Sequence, residues 1–331
     1  MRFPEGTPQY DLRKTADKYG AAMLFEIFNY LGLAIVINVA VMLILGLFTG
    51  STAIDTSTDI GYAEYMLLNA VVSYVPLFVV FCLIFKNELQ ETKYMYPYPK
   101  VRGETVILFF AGGCLGRVGA LFTAYVSDLM NTLFNVPVPE AAFSDSISKN
   151  AIQFITFETF SVIVAPVCEE LIYRHLLLRP MRKHGDMAAA VISSLIFALG
   201  HFNFDQFLYT FLFGFSLAVV AIRRDSVVPS IIIHMINNLL AGLGTYLPET
   251  FGNDVVDSIF DSLSFMAELF GLLLLFGGTA AVVIAAVLRL FSFREPDFIP
   301  NKEQLRIMLT SPLVIAGTAS MLLLAFILLY V

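Results

Sequence analysis

Tryptophan is absent from this 331-residue chain, cysteine occurs three times, histidine four times, and only 14% of the residues are charged. Soluble domains carry about 25% charged residues, so this scarcity excludes an ordinary water-exposed surface. Cys82, Cys114 and Cys168 lie in apolar runs without CxxC spacing; a disulfide framework and a cysteine zinc site are both excluded, and the three are read as small apolar residues. The first twenty residues, MRFPEGTPQYDLRKTADKYG, lack the apolar core of a cleaved signal peptide, so the first apolar helix is expected to target the chain to the membrane. A repeat of about 20 to 50 residues, the mark of a solenoid, is also missing. With a net charge of -7 there is no basic surface for nucleic acid, and none is expected as a partner.

What the chain does have is apolar sequence: 58% of residues are hydrophobic and the mean hydropathy is +0.77. Runs of spanning or near-spanning length occur at about 22-48, 64-85, 105-127, 151-178, 187-201, 206-222, 227-247, 265-290 and 311-331. They predict an all-α, polytopic membrane bundle of about nine transmembrane helices. Three stretches organise it: 1-150 with a polar amino-terminal segment and helices 1 to 3, a core at 151-247 with helices 4 to 7, and 248-331 with helices 8 and 9. At 1.5 Å per residue the fifth and sixth runs reach only about 22 and 25 Å, short of a hydrocarbon core of about 30 Å.

Basic residues fall in alternate connectors. Of twenty Lys and Arg, all but Arg117, Lys149 and Arg174 lie in the amino-terminal segment, the 86-104, 179-186 and 291-310 connectors with flanking Arg289, or the Arg223-Arg224 turn. Short basic loops stay cytoplasmic, which predicts a cytoplasmic amino terminus in a plasma membrane of prokaryotic type. Tyr94, Tyr96 and Tyr98 beside Pro97 and Pro99 fit an interfacial aromatic segment, and 294-298 reads as a cytoplasmic linker.

Against this background the stretch CEELIYRHLL, Cys168 to Leu177, stands out. A charge at the centre of a membrane helix costs about 2.5 to 3.5 kcal/mol on the most lenient insertion scale, so a functional site is the default reading. Three pairs of residues four apart share helix faces: Glu170 with Arg174, Phe197 with His201, and His234 with Asn238. Glu170 and Arg174 have the favourable order for a helical ion pair, whether structural or chemical in purpose. Glu169, about 100° around the helix, is left without that partner and is placed to act as a general base toward water. His201 and His234 could orient water, donate to an oxyanion or bind metal, and Asn238 offers an amide to developing negative charge. His175 and His184 lie beside or in a basic connector. Two further buried charges, Arg117 and Glu158, are expected to pair, and Pro166 to kink the fourth helix and free a carbonyl near the site.

The three motifs EELIYR, FALGH and HMINN, in this order on separate apolar segments, resemble those of the CPBP family of intramembrane proteases. That family includes type II CAAX prenyl endopeptidases and bacteriocin-processing or self-immunity proteins; its pattern is Glu-Glu-x-x-x-Arg, Phe-x-x-x-His and His-x-x-x-Asn or Asp. The resemblance covers about residues 151-247 and implies hydrolysis of a peptide bond in a membrane-associated or lipidated peptide or protein. It implies that Glu169 activates water, that His201 positions it, that His234 and Asn238 stabilise the oxyanion, and that Glu170, Arg174 and Phe197 order the site. Catalysis without a cofactor is the favoured form, since HExxH is absent and Arg174 accounts for Glu170; the alternative is a zinc ion held by Glu169, His201 and His234. A non-catalytic peptide-binding or immunity protein with the same fold is the competing reading. A proton-coupled transporter is a third, and the lack of internal repeats argues against it.

Overall fold

The computed structural model describes residues 3–49, 54–91, 103–134, 150–245, 254–293 and 298–328. The tyrosines and prolines at 94–99, Lys149 and the linker residues at 294–297 lie outside them. The described residues form fourteen α-helices: α1 (Pro8–Phe28), α2 (Ala34–Thr49), α3 (Asp59–Ile84), α4 (Lys86–Glu91), α5 (Gly103–Phe134), α6 (Ala151–Thr159), α7 (Ala165–Glu170), α8 (Arg179–Met181), α9 (Asp186–Leu199), α10 (Phe204–Arg224), α11 (Val228–Thr245), α12 (Asp254–Val287), α13 (Asn301–Leu309) and α14 (Pro312–Leu328). Three π-helical segments, Asn29–Leu33, Phe160–Val164 and Leu171–Leu178, join several of these into longer helical runs. No strand occurs among the described residues.

The protein is a polytopic helical membrane bundle. Among the described residues six helical runs are long and apolar enough to cross a membrane: Pro8–Ile44, Asp59–Ile84, Gly103–Val126, Ala151–Met181, Gln206–Arg224 and Asp254–Val287. Asn301–Leu309 and Pro312–Leu328, bent by 67°, form a seventh if counted as one span, and Asp186–Leu199 and Val228–Leu243 are shorter apolar helices. Together these are the nine apolar segments expected, with one difference. The sixth segment is not short: α10 continues through Arg223 and Arg224 to 21 residues. Arg223 carries it past the apolar run by donating to the carbonyls of Arg289, Leu290 and Ser292, at 2.8, 2.9 and 2.9 Å, at the end of α12. Those carbonyls belong to the turn that follows α12, which ends at Val287, so Arg223 ties the end of α10 to that turn.

Polar residues set the helix starts. Thr7, Thr58 and Asn150 accept backbone N–H groups of α1, α3 and α6, as N-caps do, and Asn150 also donates to Asp59 at 2.9 Å, tying two of these starts together. At the opposite end the basic connectors meet. Lys18 pairs with Glu88 at 2.5 Å, Arg179 donates to the Leu89 carbonyl at 2.7 Å, and Arg182 joins Asp186 and Asp225, each at 2.8 Å.

The interior consists of two apolar clusters. One gathers α1, α9 and the Leu171–Leu178 segment around Tyr19, Leu177 and Phe197; the other gathers α5, α10 and α12 around Leu108, Phe213 and Ala285. Phe197 and Phe213 both lie against His234, so the polar residues of interest sit on the seam between the clusters.

Candidate active site

Glu169 and Glu170 end α7, between the π segments Phe160–Val164 and Leu171–Leu178. A π segment winds more slowly than an α-helix and recurs at functional sites; here the two glutamates leave the helix in different directions. Glu170 is fully buried, with Oε2 3.3 Å from Arg174 Nε and Oε1 3.1 Å from His234 Nδ1. Arg174 is equally buried. Its Nη2 donates to the Gly214 carbonyl at 3.1 Å, and its guanidinium lies 4.6 Å from the Phe197 ring centroid, a cation–π distance. A Cβ at residue 214 would stand 3.2 Å from Arg174 Nη2 and 2.7 Å from the Phe197 ring, so only glycine lets α10 approach this closely.

Phe197 links the buried ion pair to both histidines: its ring centroid is 4.8 Å from that of His201 and 5.9 Å from that of His234. His201 Nδ1 lies 2.8 Å from the Phe197 carbonyl. Because a carbonyl only accepts, Nδ1 carries the proton, and Nε2 of the neutral ring presents a lone pair. By the same logic His234 donates from Nδ1 to Glu170, leaving Nε2 3.7 Å from Oε2 of Glu169.

Asn238 is held by a main-chain defect. Ala165 donates to the Phe160 carbonyl in π register, and the next residue, Pro166, has no N–H for Ser161. The Ser161 carbonyl accepts from Asn238 Nδ2 at 2.9 Å instead. Pro166 therefore does free a carbonyl at the site, and one of the two amide hydrogens of Asn238 is committed to it.

Glu169, His201, His234 and Asn238 line one cavity of about 240 Å³ with Phe157, Ser161, Phe197, Gln206, Tyr209, Thr210, Phe213 and Ala241. All seven residues named from the motifs thus meet in one place, four on the cavity with Phe197, and Glu170 and Arg174 behind it. Several partners carry no motif. Tyr74 donates to Glu169 Oε1 at 2.9 Å, Asn237 donates to Tyr209 Oη at 2.5 Å, and Tyr173 donates to Glu26, both packed against Gly200 immediately before His201. A buried phenol needs a hydrogen-bond partner, which is the one sequence signal that points to Tyr74 and Tyr173.

The expected Arg117 to Glu158 pair is not formed. Arg117 packs on Gly271 of α12, and the Glu158 carboxyl packs on Gly242 of α11. The two charges are turned toward different neighbours, Arg117 toward α12 and Glu158 toward α11, so neither is in reach of the other.

Residues 151–240 match the family model described as Rce1-like, "Type II CAAX prenyl endopeptidase Rce1-like". The match spans the three motifs and supports their assignment to the CPBP family of proteases. No curated protein and no solved structure matches the chain.

Proposed function

We propose that this chain, with its Rce1-like core, is an intramembrane endopeptidase that hydrolyses a peptide bond in a membrane-associated or prenylated, CAAX-type, peptide or protein. One observation carries the reading: a carboxylate, two imidazoles and an amide line a single cavity, with a buried ion pair behind them. Glu169 takes a proton from a water in the cavity while His201 Nε2 accepts its other hydrogen. The resulting hydroxide adds to the scissile carbonyl carbon and the carbonyl oxygen takes up the negative charge. Asn238, through the amide hydrogen not held by Ser161, and His234, through Nε2–H, donate to that oxygen. With Nδ1 already donating to Glu170, this second donation requires the imidazolium form of His234. The carbon–nitrogen bond then breaks as Glu169 returns its proton to the leaving amine. Base catalysis of this kind contributes about 10² to 10⁴-fold, and an oxyanion donor about 10² to 10³-fold.

We favour catalysis without a metal. In support, no three His, Cys, Asp or Glu side chains among the described residues are grouped to hold an ion; the alternative is a zinc set of Glu169, His201 and His234. Entry from the basic, cytoplasmic end follows from the short distance, ten residues or about 15 Å, between Glu169 and Arg179. The test is cleavage of a panel of quenched fluorescent lipopeptides by the purified wild type and Glu169→Gln, each with and without a strong chelator. Cleavage lost in the variant and indifferent to chelation is expected. Loss on chelation moves the chemistry to a metal, and peptide capture without cleavage by a folded wild type means a binding protein.

A further inference from the structure

Tyr74 lies on α3, outside the matched segment, and no step of the proposed reaction uses it. It is nonetheless the hydrogen-bond donor that reaches the proposed base, across 95 positions of sequence, at 2.9 Å from Glu169 Oε1. The other carboxyl oxygen, Oε2, is the one nearest His234 Nε2, at 3.7 Å. A glutamate's terminal torsion is broad, so in a cavity with several donors its two oxygens would exchange places. A phenol fixed on one oxygen removes that exchange.

The phenol is itself fixed, by a second proline break. Pro76, two residues along α3, has no N–H for the Val72 carbonyl. That carbonyl and its neighbour on Ser73 accept from Asn29 Nδ2 at 3.4 and 3.2 Å. Asn29 is buried at the junction of α1 with its π segment, and the Tyr74 ring packs against the apolar cluster that includes α1. Tyr74 and Glu169 thus each stand within three residues of a proline, and each proline leaves a carbonyl that an asparagine from another helical segment takes up.

We propose that Tyr74 is a positioning residue that selects Oε2 of Glu169 as the oxygen that accepts the proton, so that the active site is completed by α3 from outside the protease-like segment. The inference rests on Glu169 being the base.

The experiment compares wild type, Tyr74→Phe and Glu169→Gln in the cleavage of a farnesylated, quenched fluorescent CAAX peptide. Tyr74→Phe keeps the ring and its packing and removes only the donor. The expected result is a fall in kcat of about tenfold to hundredfold with KM little changed, while the thermal midpoint stays close to wild type. A rate equal to wild type overturns the assignment, as does a lowered rate with KM raised and the thermal midpoint reduced, which marks a packing role alone. Should wild type and Glu169→Gln behave alike, the hydrolysis reading fails and the assignment falls with it. Should Glu169→Gln abolish cleavage while Tyr74→Phe does not differ from wild type, only the role of Tyr74 is lost.

Discussion

Glu158 and Glu169 belong to one helical run, Ala151–Met181, and differ in almost everything else. Glu169 meets a phenol from α3, an imidazole from α11 and a cavity. Both oxygens of Glu158 are buried without a hydrogen-bond partner, against a glycine of α11. The same residue type on the same helix becomes a candidate base in one case and an uncompensated polar group in the other. What decides is the set of groups that neighbouring helices deliver: both carboxyls face α11, but Glu169 meets His234 there and Tyr74 from α3, whereas Glu158 meets Gly242, which has no side-chain donor to offer.

The sharpest break of this comparison is kinetic. Glu169→Gln is expected to lower kcat/KM by about 10² to 10⁴-fold, whereas Glu158→Gln leaves it within about threefold; a large loss in the second variant in the lipopeptide assay would put both carboxyls in the reaction. Next comes the buried pair behind the site. Arg174→Ala strands the Glu170 charge and should cost about 3 to 5 kcal/mol of stability, read as a lowered thermal midpoint in detergent, together with loss of cleavage. At Glu158 the sign reverses. Glu158→Leu removes an unsatisfied group and is expected to stabilise by about 1 to 3 kcal/mol. Gly242→Ala should destabilise wild type by crowding that carboxyl, and stabilise a Glu158→Ala background by up to about 1 kcal/mol through helix propensity; additive midpoints in the four proteins would contradict the contact. The smallest effect belongs to Pro166→Ala. The restored N–H competes with Asn238 for the Ser161 carbonyl, so kcat should drop by about threefold while the thermal midpoint rises.

Much of the site is legible in the chain because its residues obey helical spacing. Glu170 with Arg174, Phe197 with His201 and His234 with Asn238 are each four apart, and rare residue types in apolar runs draw notice. Apolar run lengths likewise reveal the bundle. Tyr74 escapes because one tyrosine among fourteen signals nothing by type, and its partner lies 95 residues away. The π segments escape because they have no compositional mark. Pro166 is visible as a break, yet that its free carbonyl receives Asn238 depends on the register of the turn before it. The length of α10 is underestimated because the two arginines at its end read as a connector, while in the fold Arg223 is occupied by carbonyls of the turn that follows α12.

The spacing of Glu170 and Arg174 also bears on how the chain enters the bilayer. A pair four residues apart closes as soon as its own helix exists, without waiting for another. The contact of Glu170 with His234 spans 64 positions, and at a synthesis rate of about 5 to 20 residues per second it comes about 3 to 13 s later. During that interval Arg174 is the escort that lets Glu170 pass the insertion machinery with its charge already matched. Glu158 has Phe154 and Val162 at the corresponding positions and makes the same passage unescorted.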